Sequence, residues 1–286
     1  VCSAKRSRTK CKGGIDCAER KEKQTGHGDR PAQAGRSPGA GAVMSKGTDT
    51  KGKTGQPNRV VALMGNPNVG KSTLFNRLTG LQQHTGNWPG KTVESAAGSY
   101  VYNDTRYTLI DLPGTYSLFA SSAEEEVSRD FVCFEKHDLT VVVVDATILE
   151  RNLNLATQII ETGDNVIVCV NLMDEAKKRR INVDLNKLQE ILKVPVIVTS
   201  ANNKKSLNKL VKEIEKGCQN KNSNEKIINY SNPIEQVVKK MSLTLDKLSH
   251  HENNRFFAIK LLENNEKFNN KIHEFLKLDK TAIAEV

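Results

Sequence analysis

The chain predicts an α/β fold, a mostly parallel sheet with helices on both faces, followed by a small all-helical subdomain. Three observations carry this reading. A short apolar run at residues 59–64 passes through a glycine-bearing loop into a helical pattern that ends at Gly80. Apolar runs then alternate with helical spacing as far as about residue 218, the order expected of parallel strands joined by crossover helices. Beyond residue 234 only helical spacing remains.

The first strand and helix enclose Gly65-Asn66-Pro67-Asn68-Val69-Gly70-Lys71-Ser72-Thr73, which fits the phosphate-loop pattern G-x-x-x-x-G-K-[ST]. Glycines let successive N–H groups converge on an anion at a helix N-terminus. Lys71 adds a point charge for β- and γ-phosphates, and the Ser72 hydroxyl suits Mg²⁺. A Gly-rich turn that binds nothing is the plain alternative, and the strand-loop-helix context opposes it.

Three later stretches narrow the nucleotide. Asp111-Leu112-Pro113-Gly114 follows an apolar run at 107–110. A carboxylate at that strand end can hold Mg²⁺ through water, and the Gly114 amide can meet a γ-phosphate. Asn171-Leu172-Met173-Asp174 follows the apolar run 165–170. The Asp174 carboxylate matches the N1–H and 2-amino donors of guanine, a pair that adenine lacks. Thr199-Ser200-Ala201, with Asn202 after it, follows residues 194–198 and suits a loop whose amides touch the guanine edge. All of these fall at the carboxyl ends of predicted strands, where open α/β sheets bind ligands. The nucleotide expected is GTP, with GDP as product.

The remaining elements follow from periodicity. Residues 139–144 form a β-branched run and predict a central strand, and residues 153–161 a return helix. Leu185, Leu188, Ile191 and Leu192 have helical spacing, as do Leu207, Leu210, Val211 and Ile214. Residues 218–227 are rich in Asn and Lys and predict a linker. Three amphipathic helices then follow: Ile234, Val237, Met241, Leu245 and Leu248; Phe257, Leu261 and Leu262; Phe268, Ile272, Phe275 and Leu276. The expected organisation is a disordered basic, Gly-rich tail at 1–57, a nucleotide-binding domain at 58–218 and a helical regulatory subdomain at 219–286.

Charge supports the tail. Residues 1–57 hold thirteen Lys/Arg against five Asp/Glu, supplying +8 of the net +10, with ten of the nineteen glycines and no aromatic residue. Such a segment buries too little apolar surface to offset its ordering entropy. It is read as a solvated extension, or as sequence ahead of a start at Met44, rather than as a lipid or nucleic-acid contact. Cys2, Cys11 and Cys17 match no common zinc spacing, and Cys133, Cys169 and Cys218 read as reduced thiols. No apolar run reaches the roughly 18 residues that span a bilayer.

Between the first two motifs the chain is more distinctive. His84-Thr85-Gly86-Asn87-Trp88-Pro89-Gly90-Lys91-Thr92-Val93-Glu94 resembles the first switch of FeoB, the bacterial ferrous-iron transporter, within the wider TrmE-Era-EngA-Septin-like group of P-loop GTPases. The resemblance runs on through residues 111–118, 123–127, 144–153 and 171–176, covering 59 to about 212 well and 255–263 more loosely. It implies a Mg²⁺-dependent, K⁺-stimulated GTPase on the cytoplasmic face of the inner membrane that regulates Fe²⁺ uptake by an attached membrane domain. That domain is the implied partner, with a small FeoA-like protein and a second copy of the chain as further ones, and no specific nucleic acid is expected.

By position, Thr92 resembles the switch threonine that completes the Mg²⁺ shell and meets the γ-phosphate, and Asn68 the residue that supports K⁺. Gly90, Lys91, Val93 and Glu94 belong to the same nucleotide-facing segment. Thr115 stands where many GTPases carry a water-orienting Gln, so slow intrinsic hydrolysis is expected. A base role for His84 is set aside, because phosphoryl transfer relies on positioning and charge. Two other classes stay open on sequence: an RNA-associated GTPase of ribosome assembly or tRNA modification, and a small-molecule kinase, which Asn171 and Asp174 oppose.

Overall fold

The computed structural model describes residues 57–80, 84–87, 94–120, 122–200, 203–220, 228–248 and 253–278. The predicted tail at 1–57 lies outside these, Pro57 excepted, as do Gly90, Lys91, Thr92 and Val93 of the first switch and Ala201 and Asn202. His84 and Glu94 are described in backbone only.

The sheet has seven strands: β1 (Asn58–Gly65), β2 (His84–Asn87), β3 (Glu94–Tyr102), β4 (Thr105–Asp111), β5 (Leu139–Asp145), β6 (Val166–Asn171) and β7 (Val196–Val198). Their order is β2-β3-β4-β1-β5-β6-β7. β1 pairs in parallel with β4 and β5, and β5, β6 and β7 continue in parallel. Only β3 and β2 run antiparallel to their neighbours, at one edge. The mostly parallel sheet is therefore as the sequence predicts. β1 is the turning point from which the chain builds to either side, and the crevice at its carboxyl end is where such sheets take ligands.

Two helical layers cover the sheet. α1 (Lys71–Thr79) and α6 (Lys204–Gln219) bury Leu74, Phe75, Leu78, Leu207, Leu210 and Ile214 against Val61, Leu63, Val141 and Val143. The alternate strand residues Ala62, Met64, Val142 and Val144 face α2 (Ala123–Phe134), α3 (Leu149–Glu161) and α5 (Leu185–Leu192). α4 (Met173–Lys178) lies between β6 and α5. The period-two alternation of apolar side chains, apolar to both faces, gives the central strands their continuous hydrophobic runs.

The three C-terminal helices are α7 (Asn232–Leu248), α8 (Asn254–Leu262) and α9 (Glu266–Phe275), as the spacing predicts. Their buried stripe differs in detail. Val238, Met241 and Leu245 are buried, whereas Ile234 and Val237 remain 45% and 44% exposed. Spacing by threes and fours admits either set, and the neighbouring helices decide. The linker expected from Cys218 begins later, because Cys218 and Gln219 close α6, and residues 221–227 lie outside the described set.

The helical region does not form a core of its own. Val238, Phe256, Phe257, Phe268 and Ile272 join the same apolar cluster as Phe131, Leu155 and Val168 of the sheet-bearing part. Phe134 is the hinge of that contact, with ring centroids 6.4 Å from Phe257, 5.6 Å from Phe268 and 5.0 Å from Phe275. Polar bridges run beside it. The Tyr230 hydroxyl donates to Glu161 at 3.0 Å, and Lys271 Nζ meets Asp130 Oδ2 at 2.6 Å. Among the described residues no helix is long and apolar enough to cross a membrane.

Candidate functional site

The head of α1 is built to receive an anion. Four of the described helices close their first turn with a side chain, as Ser122 does for α2 by accepting from the Glu125 amide at 3.2 Å. α1 has neither a side-chain cap nor an acidic residue in its first turn. Its cap is Gly70, at φ 83°. A methyl at Gly70 would lie 2.5 Å from Asn171 Nδ2, so this position excludes any side chain twice over. Gly65 is needed for close approach instead, since a Cβ there would fall 2.5 Å from the Val143 carbonyl oxygen. Asn68 is exposed and holds φ 66°, a left-handed conformation that asparagine tolerates. Val69 is buried beneath the loop, while Ser72 and Thr73 at the first turn are exposed.

Asp111 closes the other wall. It ends β4, one strand from the loop, and its carboxylate binds Lys71 Nζ through one oxygen. Through the other it accepts from Ser72 Oγ at 3.1 Å. Lys71 also donates to the Leu112 carbonyl, and its side chain is only 11% exposed. A hydroxyl and a carboxylate side by side form a hard-oxygen pair of the kind Mg²⁺ selects. Among the described residues no cluster of three or more His, Cys, Asp or Glu side chains forms a metal site. Ser72 and Asp111 are the residues whose chemistry fits such an ion.

Pro113 and Gly114 continue from Asp111 directly onto the phosphate loop. A Cβ on Gly114 would sit 3.1 Å from Pro67 Cα, and Thr115 N–H donates to the Gly65 carbonyl at 3.2 Å. The Thr115 hydroxyl points away from the loop. It is fully buried, donates to the Ser117 carbonyl at 2.7 Å and lies 3.2 Å from Glu125 Oε1.

The base side is tied to the phosphate side by Asn171. Its Nδ2 donates to the Val69 carbonyl at 2.9 Å, across 102 residues of sequence. The fully buried Thr199 hydroxyl lies 3.3 Å from Asn171 Oδ1 and 3.1 Å from Cys169 Sγ, so three strand ends are stitched into one chain of contacts. Sequence reasoning placed Thr199 in the loop whose amides touch the base and gave its hydroxyl no part. Leu172 adopts φ 58° as the cap of α4, with Leu172 and Met173 half-buried and Asp174 exposed in the first turn. α4 thus presents the Asp174 carboxylate to solvent. Ser200 is half-buried, and its N–H donates to Ser206 Oγ of α6 at 3.3 Å.

The described thiols are inert by environment. Burial pushes Cys169 and Cys218 up to about 12, and Cys133 still higher.

This geometry has close relatives. Residues 59–214 match the family described as ferrous iron transport protein B, and residues 230–286 match the FeoB cytosolic helical domain. The Fe(2+) transporter FeoB of Methanocaldococcus jannaschii is 46% identical over 206 residues, 71% of this chain and 30% of that protein. The Salmonella typhimurium FeoB is 35% identical over 207 residues, 71% of this chain and 27% of the relative. The chain thus spans about a third or less of the length of these relatives. Among solved structures, the cytosolic domain of T. maritima FeoB in a GDP form aligns at TM-score 0.70 and 38% identity, covering 76% of this chain and 84% of that one. The FeoB G-domain of Methanococcus jannaschii aligns at TM-score 0.51 and 43% identity, covering 57% and 99%. The chain belongs to the ferrous iron transport protein B (FeoB) family, through its GTPase domain and cytosolic helical domain.

Proposed function

We propose that this chain is the nucleotide-controlled part of a ferrous-iron transporter, binding GTP, hydrolysing it to GDP and phosphate, and regulating Fe²⁺ passage through an attached membrane domain. The observation that carries the reading is the Asn171–Val69 bond, which makes a base-reading loop and a phosphate loop one rigid receptor. In this reading residues 58–218 form the GTPase domain and 219–286 the helical regulator, at the cytoplasmic face of the membrane. A FeoA-like protein and a second copy of the chain are further proposed partners.

The backbone N–H groups of residues 66–73 cradle the phosphates, and the Lys71 ammonium, which Asp111 holds here, is drawn to the β/γ oxygens. Ser72, Thr92 and Asp111 would hold Mg²⁺, and Asn68 would hold K⁺. Mg²⁺ would supply charge neutralisation at the γ-phosphate, and K⁺ the charge that an arginine supplies elsewhere. The Gly114 amide meets the γ-phosphate. Water attacks phosphorus in line, the bond to the β–γ bridging oxygen breaks, and the proton leaves with the phosphate. Because Thr115 is engaged with Ser117 and Glu125, backbone groups position that water and turnover is slow. Gly90, Lys91, Val93 and Glu94 are assigned with Thr92 to the phosphate side, and Ser200, Ala201 and Asn202 to the base side, on sequence position.

The reading is tested with Asp174→Asn. Replacing the carboxylate inverts one donor–acceptor pair, so GTP turnover should fall and xanthosine triphosphate should become the better substrate. Equal preference before and after the change removes the guanine assignment. Turnover measured in Mg²⁺ with K⁺ against Na⁺ tests the cation role, and equal rates would remove Asn68 from it.

A further inference from the structure

We infer that Asn66 is a positioning residue of the switch loop, its carboxamide holding the Gly114–Thr115 segment in the arrangement that serves the γ-phosphate. The inference rests on the GTPase reading above and assigns one residue a distinct task within it.

Asn66 is 2% exposed, and neither its Nδ2 nor its Oδ1 has a hydrogen-bond partner among the described residues. Of the five buried side-chain polar atoms left in that condition, two belong to this one carboxamide. A buried amide without partners is disfavoured, and native chains keep such groups rarely, often where function uses them. The neighbours of Asn66 in the chain say which function. Gly65, just before it, accepts from Thr115 N–H at 3.2 Å, the long end of the ordinary range. Pro67, just after it, is the residue that Gly114 rests on. The carboxamide thus leaves the backbone between the two contacts that fix the switch loop to the phosphate loop.

The other polar groups of this junction are already engaged. The Thr115 hydroxyl is held by Ser117 and Glu125, and the Pro113 carbonyl accepts from Ser128 Oγ at 2.8 Å. When the Gly114 amide turns to a γ-phosphate, Thr115 must shift with it, and its N–H leaves the Gly65 carbonyl. Asn66 Oδ1 is the acceptor that this N–H then meets, and the segment is held in its phosphate-facing form. In the form described here the same side chain stays idle, so it biases the loop toward the triphosphate state alone.

The test uses the full 286-residue chain with Asn66→Leu, which keeps the branched skeleton and replaces both polar atoms by larger methyl groups, and Asn66→Ala as a second variant that tolerates a tighter site. Four quantities are compared with wild type: kcat and KM for GTP, the Kd of GDP, the Kd of a non-hydrolysable GTP analogue, and the nucleotide-free Tm. GDP affinity should stay within about twofold, whereas kcat and analogue affinity should fall about tenfold, as expected of one or two net hydrogen bonds. Tm should hold or rise with Leu, because an unpaired amide has been removed. Unchanged kcat and analogue affinity in both variants would overturn the assignment. So would a parallel loss of GDP affinity and Tm, which marks a structural group or one that binds a buried water. A wild-type chain that binds neither nucleotide instead defeats the GTPase reading itself.

Discussion

Removing the Asp130 carboxylate should separate the helical region from the sheet more effectively than removing its lysine partner, although both make the same bridge. Asp130 sits on α2 with its side chain 9% exposed. One oxygen accepts from Arg129 Nε at 3.0 Å and Nη2 at 2.8 Å, and the other meets Lys271 of α9 at 2.6 Å. Arg129 is itself 4% exposed and lies 4.3 Å over the Phe268 ring. Asp130→Ala therefore strips a buried guanidinium of its carboxylate and should cost about 3 kcal/mol, the lower end for breaking a buried pair. Lys271 is 41% exposed, so water replaces much of what Lys271→Ala removes, and about 1 kcal/mol is expected.

Urea unfolding followed by far-UV circular dichroism measures both. The shared apolar cluster should keep each transition single. In the double variant the losses should add to less than their sum by up to about 1 kcal/mol, the share of the pair itself. Equal costs for the two single variants would refute the reasoning, because burial would then not set the magnitude. Acid supplies an independent check. Burial alone would raise the Asp130 carboxyl, but hydrogen bonds from Lys271 and Arg129 outweigh it and hold the group below its usual 3.8. A carboxyl depressed in the fold stabilises above its unfolded value and loses that contribution as pH falls through the folded one. The gap in stability between wild type and Asp130→Asn should therefore narrow below about pH 4.

Two further outcomes bear on the site. Gly70→Ala meets Asn171 Nδ2 at 2.5 Å with φ at 83°, so GDP affinity measured by calorimetry should fall at least about a hundredfold, and a loss under fivefold would contradict the packing. Thr199→Val keeps the shape but removes the hydroxyl from Asn171 and Cys169, so it should lower stability by about 1–2 kcal/mol and weaken GDP several-fold. A valine variant with unchanged Tm and Kd would take Thr199 out of the site.

The parts of this fold legible in sequence are those whose residues carry their own constraint. Gly65, Gly70, Lys71 and Asp111 announce a strand, an anion loop and a wall because few other residue types meet those backbone and charge demands. Elements set by their neighbours were not legible. β3 includes Ser95-Ala96-Ala97-Gly98-Ser99, weak strand formers, and is drawn into the sheet by seven residue pairings with β4. Helical spacing allowed Ile234 and Val237 into the core of α7, but the surface they would need is absent on that side, and Val238 takes the place. The fusion of the helical region with the sheet depends on Phe134 meeting three rings far along the chain, which no local pattern encodes.

That fusion determines how a phosphate could be felt by the helices. The loop after Gly114 is fastened to several helices beyond the phosphate loop, α3 and α8 among them. Leu118 N–H donates to Gln158 of α3 at 2.7 Å, and Lys260 of α8 lies 4.6 Å over the Phe119 ring. α2 in turn meets Lys271 of α9 through Asp130. On the proposed function, a γ-phosphate that draws Gly114 inward must deform these contacts or move the helices with it. The coupling can be no larger than the contacts that carry it, typically 1–3 kcal/mol, and linkage makes it reciprocal. A ligand or membrane domain that displaces α8 must therefore change GTP affinity by the same factor by which GTP changes affinity for that partner. Lys260→Met, which keeps the stem and removes the charge from Phe119, should shrink both factors together, and a change in one alone would place the coupling elsewhere.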